Sequence, residues 1–569
     1  MSGQTVTRDQ TSPSARAFFW IALALVMTLA AVLSGRSIAA YQTYFGMYHD
    51  DGIYLVTAKS LAEGQGLRIL SLPGEPLQTK YPPGYPVLLA AIWLTNPQFP
   101  NNLLLLSAVQ VVLSIGASAA AVFYLLATRK VTGALALVIL AATVLNSHYL
   151  DFAPMLMTDL PATLFVMLAL WRTEVECKRP FSPLRAFLLG VLIALAPLIR
   201  SHALIVIPSV FIFLAARKKL ALAAVSAATA AILAGAPMVW QYCHQQPPGS
   251  FYAYYTNYIG HGFGTLPALS ESLDRLWSNY NWSAVLQINT YFPFLQRIRF
   301  QALDPLSFAL VYRVGYFALG LPLIIGGLRE LLRLSLPGIF ALFYALVLAS
   351  WPIKAEWRHI LPELVFNYYF YFRGFRLIAS VVKPGFHSHR TAYRTSCAAA
   401  AVCFSLYLVV GTTIEAIERA GNYGKALARV SGWLAPEIQR SDYSQAINWI
   451  KKTTEASAIF VCNNDPLLFL NTGRKAVFPS RMEVWRFAGG NLVDAETALE
   501  AIRLSGASYL MVEPMYRTLG EGAKQTAVAT AVLARRHPGL LKEVFSSSHG
   551  LVRIFAIDRS RMPQVDDMR

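Results

Sequence analysis

The chain is 569 residues long, 55% hydrophobic and only 14% charged, with a formal net charge of +18 and a mean hydropathy of +0.44. These values exclude an ordinary string of soluble domains and indicate a polytopic membrane protein. The basic excess does not point to nucleic acid, because the Lys and Arg residues collect between apolar segments.

The first predicted element is residues 17–35, "AFFWIALALVMTLAAVLSG", an apolar run of the length a membrane helix needs, with Arg8 and Arg16 before it. It is too long for the core of a cleaved signal peptide and has no small-residue cleavage site, so it reads as a retained first helix. Further apolar runs occur near 103–127, 132–150, 158–171, 186–199, 202–216, 220–240, 307–327, 335–351, 360–372 and 395–414, giving about eleven spans. Basic residues mark alternate connections: Arg129-Lys130, Arg172 to Arg185, Arg217-Lys218-Lys219, Arg329 with Arg333, and Arg373 to Arg394. By the positive-inside rule these face the cytoplasm, as does the N-terminus. The connections 41–101, 151–157, around Arg200-Ser201-His202, 241–306, 352–359 and everything after about 415 are then extracytoplasmic. The apolar stretch 84–94, "GYPVLLAAIWL", would invert every later loop if it spanned, so it reads as a short interfacial or re-entrant helix.

From about residue 440 the pattern changes. "SDYSQAINWIKKT" has helical spacing, "ASAIFVC" reads as a strand, and "DPLLFLNTG" as a short helix ending at Gly473. "KAVFP", "ASYLMVEP" and "LVRIFAI" read as further strands, separated by helical stretches near 493–505 and 521–536. The expectation is a helical membrane domain over 1–415 and a small extracytoplasmic α/β domain over 416–569 for acceptor recognition or support. Cys177, Cys243, Cys397, Cys403 and Cys462 form no CxxC pair and no zinc spacing. Cys243 and Cys462 could pair only if both faced an oxidising compartment.

The candidate chemical groups lie on the expected outer face. In "YHDDGIYL", Asp50 and Asp51 open a short amphipathic helix. Asp51 suits a cap, while a carboxylate here could also take a proton from an acceptor hydroxyl. Asp159, in "TDLPATLF", stands where a helix cap would, yet in the next external loop. Lys80, Arg200 and Arg358 are external cations, and guanidinium groups grip phosphate in a forked geometry. Tyr81, His202 and His359 adjoin these cations and are candidate substrate-binding residues. The aromatic-rich loop 241–306 fits an interfacial belt or sugar stacking, and Asn281-Trp282-Ser283 fits a glycosylation acceptor.

"YHDDGIYLVTAKSLAEGQGL", "KYPPGYPVLLA", "TDLPATLF", "IRSHALIVIPS" and "WRHILPELVF", taken in this order, resemble the bacterial membrane glycosyltransferases of the C-type fold. That family includes protein O-mannosyltransferase and aminoarabinose transferase relatives. The likeness covers roughly the first 415 residues. It implies a donor sugar carried on a polyprenyl phosphate, a single inverting displacement, and a lipid, polysaccharide or protein acceptor at the cell membrane. It places the catalytic base on Asp50, with Asp51 as second acid, where the family often has Asp-Glu, and the second-loop acid on Asp159. It places donor phosphate contact on Lys80, with Arg200 and Arg358 near the donor. In this scheme carboxylates stand apart from cations, so the base is not neutralised. The family varies in metal use, and the carboxylates could hold a divalent cation, though no ligand set here demands one. A transporter or lipid flippase is the alternative, and it expects ionisable groups at mid-membrane. A structural scaffold would leave the external charges without a task.

Overall fold

The computed structural model describes residues 13–46, 48–247, 250–256, 320–350, 357–381, 402–406, 408–418, 436–480, 493–513 and 520–563. Its first helix, α1 (Pro13–Tyr44), has 32 residues, about 48 Å of rise against a hydrocarbon core of about 30 Å. There follow α2 (Asp50–Ala62), α3 (Gly84–Thr95), α4 (Leu103–Ala127), α5 (Gly133–Val144), α6 (Ser147–Phe152), α7 (Asp159–Cys177), α8 (Pro183–Ile199), α9 (Val206–Ala216) and α10 (Leu220–His244). Phe18, Trp20, Leu25 and Val32 on α1, Val112 on α4, and Ile232 and Val239 on α10 lie exposed. Large apolar side chains pointing outward along several helices are a liability in water and cost nothing in lipid.

Three helices, Ala17–Ala39, Leu103–Ala127 and Leu220–His244, are long and apolar enough to cross a membrane. A fourth crossing results if Gly320–Leu332 and Leu336–Ala349, which meet at 117°, form one broken span. The chain is therefore a multi-pass membrane protein, with fewer full-length spans among the described residues than the eleven expected. Short helices account for part of the difference. Gly133–Val144, Pro183–Ile199 and Ser201–Ala216 are apolar but only 10–17 residues long, and much of 307–327 and 395–414 lies outside the described residues. The apolar run 132–150 is two helices, because the Asn146 carboxamide oxygen accepts from the His148 and Tyr149 amides at 3.0 and 3.3 Å and so caps α6. α3 has 12 residues, about 18 Å, which fits the short helix expected there and not a span.

Two glycines set how the helices meet. A Cβ at Gly190 of α8 would lie 2.5 Å from Thr229 Cβ and 2.6 Å from Ser226 O on α10, so only glycine permits this approach. A Cβ at Gly84 would lie 2.6 Å from Leu198 O. That contact seats the start of α3, and the turn before it, against the end of α8. The helices also have chemically distinct ends. α7 begins at Asp159, and near its other end Glu174 takes Lys130 at 3.1 Å while Glu176 takes Arg172, Arg179 and Arg185 at 2.5–3.5 Å.

The tail forms a five-stranded sheet, β1 (Ile459–Val461), β2 (Lys475–Val477), β3 (Tyr509–Val512), β4 (Leu541–Ser546) and β5 (Arg553–Ile557), in the order β2-β1-β3-β5-β4. β2, β1 and β3 run parallel, and β5 pairs antiparallel with β3 and β4. Helices Pro436–Thr453, Asp465–Thr472, Ala495–Ser505 and Gly520–Arg536 accompany it. Ile450, Phe460, Cys462, Leu468, Met511 and Ile554 fill one face, with Phe460 stacked on Tyr509 at 5.0 Å. Cys462 is buried there, Cys243 is exposed on α10, and both are free thiols. Residues 257–306, the Asn281 acceptor pattern and Cys397 lie outside the described residues.

Candidate functional site

The site is built on the start of α2. Gly46 has φ +90, and a Cβ on it would meet Asn464 Nδ2 at 2.4 Å. His49, just before the helix, has φ 61 and ψ −44, a conformation that residues with side chains rarely adopt. This turn sends the adjacent carboxylates in different directions. Asp51 is fully buried and accepts from Tyr41 Oη at 3.0 Å and from the Gly46 and Gly52 amides at 2.9 and 3.0 Å. Tyr41 Oη in turn accepts from the Leu156 amide at 3.0 Å. Asp51 therefore fastens α1, α2 and the segment before α7 together. The helix cap position belongs to His49, whose side chain makes no capping bond.

Burial pushes the Asp51 carboxyl up from 3.8 to about 6, against the hydrogen bonds that lower it. Its folded value lies above its unfolded one, so between about pH 4 and pH 6 the folded chain holds a proton that the unfolded chain releases. Stability contributed by this group is thus lost as pH rises through that window, on the order of 3 kcal/mol by neutral pH. Asp51→Asn is expected to flatten that part of the thermal stability profile in detergent. A variant profile parallel to the parent's would remove the buried charge as its cause.

Asp50 turns the other way, with one fifth of its side chain exposed. Tyr81 Oη donates to Oδ1 at 2.5 Å, and Arg358 Nη1 lies 3.3 Å from Oδ2. The Arg358 guanidinium also covers the Tyr48 ring at 5.3 Å, and Lys80 Nζ lies 5.1 Å from the centre of the Tyr81 ring. Burial raises the Asp50 pKa, but Arg358, Lys80, the Tyr81 hydroxyl and His49 outweigh it, and the carboxyl is held below its ordinary value. Burial brings Lys80 down to about 8 although Asp50 opposes the change. Contrary to the scheme of separated charges, the Asp50 carboxylate is in contact with Arg358 and feels the charge of Lys80.

A second carboxylate–cation pair stands beside the first. Arg200, at the end of α8, places Nη1 2.9 Å from Asp159 Oδ2 and 2.8 Å from Thr158 Oγ1. Tyr54 of α2 hydrogen-bonds Thr158 and feels both Asp50 and Arg200, which ties the two pairs into one electrostatic group. Asp159 is the first residue of α7 and makes no cap; Thr158 holds that position. Asp159 Oδ1 and Arg200 Nε are buried and lack a partner among the described residues. The His202 and His359 rings lie 6.2 Å apart. Burial, with Arg200 and Arg358 nearby, keeps His202 neutral by lowering its pKa well below the ordinary value. Asp159, Arg200, His202 and Tyr344 line a small recess with Val166, Met167, Ile205 and Phe340.

The structure thus gathers Asp50, Lys80, Tyr81, Arg358, Asp159, Arg200, His202 and His359, and turns Asp51 aside. Sequence reading missed Tyr48 and Tyr54, whose aromatic neighbours disguise them as interfacial residues. It also missed Asp465 of the tail, whose Oδ1 lies 2.7 Å from His49 Nε2. Among the described residues no three His, Cys, Asp or Glu side chains group to hold a metal ion. Asp50 and Asp159 face arginines and Asp51 faces the Tyr41 hydroxyl and backbone amides, an arrangement unlike a divalent cation site.

No protein-family model and no curated protein sequence matches the chain. Solved structures do. The chain is similar to ArnT of Cupriavidus metallidurans, crystallised with undecaprenyl phosphate, at 12% identity and TM-score 0.50, over 95% of this chain and 99% of that one. It is also similar to the oligosaccharyltransferase of Archaeoglobus fulgidus, at 14% identity and TM-score 0.50, over 95% of this chain and 75% of that one. That enzyme has also been crystallised with zinc and sulfate, and this form matches at the same identity and TM-score. At such identities the likeness is one of fold, the fold of ArnT and of the archaeal oligosaccharyltransferase.

Proposed function

We propose that the chain is a membrane glycosyltransferase that moves a sugar from a polyprenyl phosphate to an acceptor hydroxyl, with inversion, on the extracytoplasmic side. The observation that carries this reading is one carboxylate, Asp50, flanked by two cations, Arg358 and Lys80. Beside it lies a half-apolar recess containing Arg200. The unpartnered Arg200 Nε and Asp159 Oδ1 support a polar ligand there. The fold agrees, since ArnT with this fold was crystallised with undecaprenyl phosphate.

The contact between Asp50 and Arg358 gives the cycle an order. In the resting site Arg358 lowers the basicity of Asp50. A donor phosphate competes for Arg358 and Lys80, and as these charges turn to the phosphate the Asp50 carboxylate regains basicity. The acceptor hydroxyl then gives its proton to Asp50 while its oxygen attacks the anomeric carbon from the face opposite the phosphate. The bond from that carbon to the phosphate oxygen breaks, and Lys80 with Arg358 or Arg200 holds the departing charge. Asp159 keeps Arg200 aimed, Tyr81 orients Asp50, and neutral His202, with His359 beside it, lines the sugar's path. Asp51 serves as support. The division near residue 415 leaves the chemistry with the helical part and bracing with the tail.

The test is incubation of the purified chain in lipid nanodiscs with undecaprenyl phosphates carrying hexoses, pentoses or aminopentoses, together with cell-envelope acceptors. Release of undecaprenyl phosphate and an inverted anomeric linkage are expected. Absence of sugar transfer with every donor, in protein that still binds undecaprenyl phosphate, would sink the reading.

A further inference from the structure

The tail reaches into the start of α2 through one buried carboxylate. Asp465 opens the helix Asp465–Thr472, but Asn464 supplies the cap, accepting from the Leu467 amide at 3.3 Å. Asp465 is left for other work. It is fully buried, its Oδ1 accepting from His49 Nε2 at 2.7 Å and Tyr255 Oη at 3.0 Å, and its Oδ2 accepting from Ser71 Oγ at 3.1 Å. Three segments of the membrane part therefore converge on an acid borne by the tail. Two further contacts fix the same joint. Asn464 Nδ2 donates to Gly46 O at 3.1 Å, and a Cβ on Gly52 would lie 2.7 Å from Pro466 Cβ.

His49 is the residue whose backbone takes the rare positive φ immediately before Asp50. Such a conformation persists only where its surroundings over-determine it, and here the ring is held by Asp465 and packed 5.6 Å from the Tyr255 ring. We propose that Asp465 is a positioning residue. By gripping the His49 imidazole it holds the left-handed turn that aims Asp50 at Tyr81 and Arg358. The tail thereby completes the catalytic geometry without touching substrate. This rests on the glycosyltransferase reading for its kinetic consequence and on the structure alone for its geometric one.

The test uses the full chain in nanodiscs, with Asp465→Asn, His49→Gln and the double variant. Lys475→Ala serves as control; it cuts the 2.8 Å contact with Glu75, another tie between tail and first external loop, and leaves Asp465 alone. A misplacement of the base by about 1 Å is worth on the order of 10²-fold in kcat, with donor KM roughly unchanged. The double variant is expected to lose no more than the worse single, because both cut one linkage, and Lys475→Ala to keep its turnover. Equal kcat losses in Lys475→Ala would assign the effect to docking in general and overturn the positioning role, as would unchanged kcat in both single variants. Amide hydrogen exchange decides the geometry without any substrate. Asp465→Asn or His49→Gln should speed exchange at residues 50–54 while β1 and β3 stay protected. Unchanged protection at α2 overturns the proposal, whether or not the wild type transfers sugar. Faster exchange in a chain that transfers none would keep the geometry and discard the activity.

Discussion

Asp50→Asn is expected to lower kcat by about 10² to 10⁴-fold, the range that a positioned general base supplies, while the protein keeps its fold. The substitution changes charge and not shape. Tyr81 can still donate to the carboxamide oxygen, and Arg358, which loses its charged partner, can still donate to that oxygen and keeps the Tyr48 ring beneath it. Removing a negative group next to a phosphate site should leave donor binding unchanged or tighter. The signature is therefore a fall in kcat with no rise in donor KM, measured together with thermal unfolding to confirm intact protein. Turnover equal to the parent's, in folded variant, would take the base role away from Asp50.

The second large effect belongs to Arg358. Its guanidinium lies 3.3 Å from Asp50 and covers the Tyr48 ring, so under the proposed function it would join the base to the phosphate end of the site. Arg358→Ala is expected to raise donor KM by about 10- to 100-fold, from the roughly 1.5–3 kcal/mol carried by a hydrogen bond to a charged group. Arg358→Lys should recover only part, because an ammonium offers a point charge in place of a forked donor. The pH profile supplies an independent reading. In the parent, Arg358 and Lys80 hold Asp50 below its ordinary value, so the acid limb of kcat/KM falls at correspondingly low pH. Losing Arg358 lets burial dominate, the Asp50 pKa rises, and the acid limb moves to higher pH. A limb that stays in place, or moves down, would separate Arg358 from Asp50 in the working enzyme.

The membrane helices were legible because length and apolarity are written locally. The runs read at 103–127 and 220–240 correspond to α4 and α10. The break at Leu145–Asn146 was not, since it depends on one carboxamide turning back on its own helix. In the tail, β1, β2, β3 and β5 stand on apolar stretches. β4 was missed because its Lys542 and Glu543 lie on an exposed edge, where burial imposes no alternation. At the site, residue types and their loops could be read, but which of two adjacent acids turns toward the cations could not. Neighbouring helix positions differ by about 100° in direction, and the Gly46 and His49 backbone chooses between them. Asp465 looked like part of any Asp-Pro helix start, and its partner lies far away in the chain.

That distance bears on how the protein is made. His49 and Asp465 are 416 residues apart, so at about 5–20 residues per second the ribosome needs roughly 20–80 s to deliver the second after the first. Throughout that interval the first helices are already in the bilayer, and the turn at His49 has no acid to hold it. On the proposed reading, the emerging chain is thus unfinished around Asp50 until the last hundred or so residues have been made and folded. A nascent chain stalled before that stage would carry Asp50 and every cation around it, yet lack the brace that aims them.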